Sequence, residues 1–87
     1  METYKLKLKG ENFKETVVDV NLNQYIGWKV KMIQKEKQLT TDDICNKGGI
    51  NGALISRIIK GRHNIQINNI YKVCKGLSCD SKDILPF

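Results

Sequence analysis

Residues 39–61 read LTTDDICNKGGINGALISRIIKG. The second half of this stretch decides the fold. On a wheel turning about 100° per residue, Gly52, Ala53, Ser56, Arg57 and Lys60 share one arc. Leu54, Ile55, Ile58 and Ile59 share the opposite one. No position is misplaced, so residues 51–60 are predicted to form a helix with an apolar face and a small, basic face. Asn51 offers a side-chain oxygen at the N-cap, and Gly61 stands where a helix stops. Small residues at the helix start permit close approach to a flat partner, and Arg57 can donate two hydrogen bonds to a guanine edge.

The first half predicts a preceding short helix. Thr40 with Asp43 three residues on resembles a capping box, with Asp in place of Glu or Gln. Asp42 and Asp43 stand where the helix dipole favours negative charge. Ile44 is the apolar anchor, and Gly48-Gly49 ends the helix with a residue able to take φ > 0. A turn this short sets the two helices at a steep angle.

These residues resemble the lambda-repressor/Cro-like (Xre-type) helix-turn-helix family. Its motif wants a small residue on the first helix, glycine in the turn four residues later, and aliphatics six and nine residues beyond. Cys45, Gly49, Ile55 and Ile58 fill those places. Leu39-Thr40-Thr41, Ser56-Arg57-Ile58 and Lys60-Gly61-Arg62 also fit, and the similarity runs from about Ile26 to Leu85. Two departures stand out. The family's ion pair between an acidic residue before the closing basic-Gly pair and an arginine on the domain's first helix falls on Ile59 and Gln34, which implies apolar packing instead. Its opening glutamine is Thr41, a shorter donor.

The resemblance implies a mainly α fold: a five-helix lambda-repressor-like helix-turn-helix domain over residues 21–87, preceded by an N-terminal β-hairpin over residues 1–20. It also implies roles. Asn51, Gly52, Ala53, Ser56 and Arg57 face the major groove. Thr41, Lys60, Arg62 and His63 face phosphates. Leu54, at the edge of the apolar arc, is placed to touch a thymine methyl.

Composition agrees with one small domain. The 87 residues are 40% apolar and carry 15 Lys+Arg against 9 Asp+Glu, a net charge of +6, which favours a polyanionic partner. No apolar run approaches the roughly 20 residues of a membrane span, and METYKLKLKG has no apolar core of a signal peptide. A cytoplasmic protein is expected. Three cysteines do not suit a disulfide framework. Cys45 takes the motif's small slot, and Cys74 and Cys79 follow the apolar register of a later helix. Reduced core thiols are expected rather than a metal or redox site, and no cofactor is implied.

Elsewhere, Tyr4, Leu6 and Leu8 alternate with lysines, and 13–20 is rich in β-branched residues. A hairpin over about 3–20, turning near Gly10-Glu11-Asn12, is expected. A two-stranded hairpin is marginal alone, so Trp28 and Met32 are expected to receive Leu6, Leu8 or Val18. Asn21 or Asn23 opens a helix reaching about Gln38, with Leu22, Ile26, Val30 and Ile33 inward. A further helix is expected over about 66–76, then a last short helix with Ile84 and Leu85, ended by Pro86. In the family this end often supplies a dimer contact.

The expected function is a sequence-specific double-stranded DNA-binding transcriptional regulator, a repressor acting by occlusion. Its partner would be a palindromic operator bound by a homodimer, with half-sites about 34 Å apart. The alternative is an antitoxin-like or other protein-interaction module, binding a protein partner through residues 1–20 or the C-terminus. An enzyme lacks a constellation: His63 has neither a nucleophile nor a carboxylate partner near it in sequence.

Overall fold

Each apolar stripe of the sequence turns onto one core. The computed structural model describes residues 3–9, 15–62 and 64–86. In chain order it runs β1 (Tyr4–Lys9), β2 (Glu15–Val20), α1 (Leu22–Glu36), α2 (Thr41–Gly48), α3 (Gly52–Ile59) and α4 (Ile67–Leu77), then a 3-10 turn (Ser81–Asp83). Ile26 and Val30 of α1, Ile44 of α2, Ile55 and Ile58 of α3, and Val73, Cys74 and Leu77 of α4 are buried together. Ile50 from the α2–α3 turn and Ile84 from the last segment complete the core.

The fold is mainly helical, but the fifth helix expected near 80–85 is only that 3-10 turn. Asp80 and Asp83 close a capping box around it. Pro86 has no N–H to carry a ladder onward, and it disfavours the α region at Leu85. One turn without propagation does not recover the cost of its own nucleation.

Helix α1 stops at Glu36 because Gln38 takes φ 55°. Its start is Asn21, whose side chain accepts from the Gln24 N–H at 2.8 Å while Gln24 Oε1 accepts from the Asn21 N–H at 3.0 Å. Helix α4, expected over about 66–76, runs from Ile67 to Leu77 and turns at Ser78 with φ 54°. Gly76 serves packing: a Cβ there would lie 2.6 Å from the Ile44 carbonyl oxygen. Lys37 donates to the Leu77 and Ser78 carbonyls at 2.7 and 2.8 Å. A cation there satisfies carbonyls that the end of α4 leaves open.

Strands β1 and β2 pair antiparallel, with Tyr4 opposite Val20, Leu6 opposite Val18 and Leu8 opposite Thr16. The expected turn at 10–12 lies outside the described residues. Leu6 is buried and shares clefts with Trp28 on both sides, one of which also reaches Met32. The Tyr4 and Tyr25 ring centroids are 6.1 Å apart. The hairpin thus lies beside Tyr25, Trp28 and Met32 of α1; the Leu8 side chain is outside the described set.

Candidate nucleic-acid interface

The turn between α2 and α3 is built before anything it presents. Thr40 Oγ1 accepts from the Asp43 N–H at 3.1 Å, and Asp43 Oδ2 accepts from the Thr40 N–H at 2.9 Å. Those bonds hold the Asp43 carboxyl below its ordinary value of 3.8, the backbone bond to Thr40 being the larger cause. At the other end Gly49 takes φ 69°, and its N–H donates to the Cys45 carbonyl at 2.9 Å. A residue with a Cβ is strained in that left-handed conformation. Ile50 then drops into the core, and the chain re-enters a helix at once.

Asn51 caps that helix: its Oδ1 accepts from the Ala53 N–H at 2.7 Å. With Ile55 and Ile58 each 1% exposed, the rotation of α3 is fixed. Ala53, Ser56, Arg57 and Lys60 come out exposed. The cap commits the Asn51 oxygen to the backbone and leaves its NH2 group to donate outward, toward acceptors such as guanine O6 and N7. Gly52 is half-buried over the start of α2; a Cβ there would meet Cys45 Sγ at 3.5 Å and Thr41 Cγ2 at 3.8 Å. Thr41, exposed on the first turn of α2, therefore flanks the start of α3. Leu54 is half-buried against the core, so part of it is spent on packing.

Beyond α3, Gly61 turns with φ 71° and Arg62 is exposed. His63 lies outside the described residues. The start of α1 joins this segment: Asn23 Nδ2 donates to Asn64 Oδ1 at 2.8 Å, and a Cβ at Gly61 would lie 2.9 Å from Gln24 Cα. Sequence reasoning offered Asn23 only as an alternative cap. A bond between residues 41 positions apart leaves no periodicity or spacing to find it by.

Neither substituted place of the motif is an ion pair. Ile59 packs against the core and lines a cleft with Leu6, Val18 and Val20 of the hairpin. Apolar chemistry suits a position that an added hairpin covers. The cysteines are free, and burial, foremost, pushes the Cys74 thiol up to about 12, with Cys79 as the next cause. Cys74 is a neutral packing group at physiological pH. Among the described residues no cluster of His, Cys, Asp or Glu could hold a metal ion, and no helix is long and apolar enough to cross a membrane.

The whole is a rigid, capped helix with Arg57 and Lys60 outward, flanked by Thr41 and Arg62. A helix of that kind fits a major groove about 12 Å wide.

The sequence profile of the Cro/C1-type HTH DNA-binding domain matches residues 29–87. Among solved structures the chain is similar to the restriction-modification controller protein C.AhdI from Aeromonas hydrophila. The TM-score is 0.68 at 16% identity, over 72% of this chain and 96% of that one. It is similar to an HTH_3 family transcriptional regulator from Vibrio cholerae, with a TM-score of 0.69 at 21% identity, over 72% of this chain and 35% of that one. The controller protein C.Esp1396I, solved as a tetramer in complex with its natural 35 base-pair operator, gives a TM-score of 0.66 at 26% identity, covering 70% of this chain and 80% of that one. No curated protein matches. Motif, fold and profile agree: this chain belongs to the Cro/C1-type helix-turn-helix DNA-binding family.

Proposed function

We propose that this transcription regulator is a repressor that reads double-stranded DNA with the exposed face of α3. The observation that carries this is the fixed rotation of α3: two isoleucines fully inward, Arg57 and Ser56 fully outward. Asn51, Gly52, Ala53, Ser56 and Arg57 read base edges, with Leu54 against a thymine methyl. Thr41, Lys60, Arg62 and His63 hold phosphates, and Asn23 joins them through Asn64. Residues 21–87 act as the DNA-binding unit and residues 1–20 as an extension. The mechanism is occlusion, with a homodimer on a palindromic operator; the controller protein C.Esp1396I bound to its operator as a tetramer supports an oligomeric binder. No step of this reading needs a catalytic group, and it places the protein in the cytoplasm.

Selection from random duplexes tests it. A single enriched palindrome is the expected result, with affinity falling linearly on a log–log plot against salt. Recovery of no motif, with a steep salt slope, would leave only non-specific phosphate binding and overturn the base-reading role.

A second reading, protein interaction through residues 1–20, is supported by the two-stranded sheet itself. Among the described residues no further strand pairs with the outer edges of β1 and β2, and Val17 is 52% exposed. Open edges are templates for strand addition. A Val17→Asp variant that loses a co-purifying protein yet keeps its operator would support this role beside the first.

A further inference from the structure

The hairpin creates a cleft that a helix-turn-helix body alone would not have. It measures about 430 Å³ and is walled by Leu6 and Val18 of the hairpin, Trp28 of α1 and Ile59 of α3. Lys31 and Lys60 stand on its rim, and among the described residues no acidic side chain lines it. Among the described residues nothing accepts from the Trp28 indole N–H, which is buried. The side-chain oxygen of Gln24, which also lines the cleft, is already taken by the Asn21 N–H. Apolar walls with two lysines at the rim ask for one chemistry: an apolar body ending in an anionic group. The volume lies within the range of small-molecule sites.

We infer that this cleft binds a small amphipathic carboxylate, its hydrocarbon against Trp28 and Ile59 and its carboxylate between Lys31 and Lys60. This extends the DNA-binding reading, because Lys60 belongs to both sites. A carboxylate that holds the Lys60 ammonium withdraws it from phosphate. Ligand and operator then weaken each other by the same factor, as linkage requires.

The chain has one tryptophan and it lines this cleft, so its emission reports occupancy without DNA. Octanoate is the probe, octanamide its uncharged control. Octanoate should change Trp28 emission saturably at millimolar concentrations, and octanamide should bind at least tenfold more weakly. Lys31→Gln, an exposed change at a residue given no groove or phosphate role, should abolish most of that preference and leave operator affinity without octanoate unchanged. Saturating octanoate should weaken operator binding severalfold in the parent chain and less in Lys31→Gln. Equal binding of acid and amide, or no saturable change in emission, overturns the site. Neither result touches the DNA reading, which stands or falls on operator binding without octanoate.

Discussion

Arg57 and Arg62 carry the same charge and are both exposed, yet their settings differ. Arg57 projects from a helix pinned by Ile55 and Ile58 behind it, so its guanidinium has a fixed origin from which to meet one base pair. Arg62 follows the turn at Gly61, where a side chain finds phosphate irrespective of sequence. Arg57→Ala should cost about 1–3 kcal/mol and relax preference at one position, while Arg62→Ala should weaken all duplexes alike and flatten the salt slope by about one. Titrations against the operator and a scrambled duplex check this; a uniform loss from both variants would remove Arg57 from base reading. Asp43 makes a residue-scale prediction of another kind. Its pKa is lowered in the folded state by the bonds to Thr40. The support it gives α2 is therefore complete above the ordinary value of 3.8 and is lost as pH falls through the lowered one. Carboxyl chemical shifts followed below pH 4 should titrate later than a free aspartate, with the start of α2 loosening in step. Asp43→Asn should erase that acid-side change. A carboxyl that titrates at its ordinary value would show that the capping box does not form in solution.

At the scale of elements, two glycine contacts do what no cap could. A Cβ at Gly27 would lie 2.3 Å from the Ile58 carbonyl oxygen, and one at Gly48 would lie 2.3 Å from that of Lys72. Together with Gly76 against Ile44, these let α1 approach α3 and α4 approach α2 at backbone distance. Gly76→Ala gains about 1 kcal/mol of helix propensity but forces a methyl into the α2 backbone, an overpacking that costs about 1–3 kcal/mol. The clash should win, because the opposing atom is a carbonyl that cannot swing aside without moving α2. Each net kcal/mol lowers Tm by about 4–8 °C in a domain this size; an unchanged or raised Tm in a thermal melt would show that the crossing is looser than the structure has it. The same glycines mark what could be read in advance. Gly49 was legible because its role is local: a left-handed cap between two periodic runs. The packing role of Gly76 is not legible, because it is a contact with a helix some thirty positions away. The apolar face of α3 and the capping box at Thr40 were legible for the same local reason. Lys37 on the end of α4 and Asn23 on Asn64 were not, since each depends on which helix the fold brings near.

For the whole molecule, the remaining question is what faces α4. Ile67 is 82% exposed and Tyr71 67% exposed, one turn apart on the same face. Beside them runs a cleft of about 480 Å³ whose lining includes Ile70, Cys74, Lys75 and Asp80. In the proposed homodimer a second copy related by a two-fold axis would cover this patch, with Tyr71 and the cleft of each copy meeting their counterparts in an isologous arrangement. Dimerisation also explains how an 87-residue chain can be selective. One short helix reads only a few base pairs, and doubling the readout multiplies discrimination, since each mismatch costs about 1–3 kcal/mol. Tyr71→Glu should therefore shift sedimentation from dimer to monomer at micromolar protein. It should cut affinity for a palindrome steeply and leave affinity for a lone half-site as it was. The circular dichroism spectrum should not change, because Tyr71 contributes little to the core. A parent chain that sediments as a monomer while occupying a palindrome at full affinity would separate operator recognition from this face.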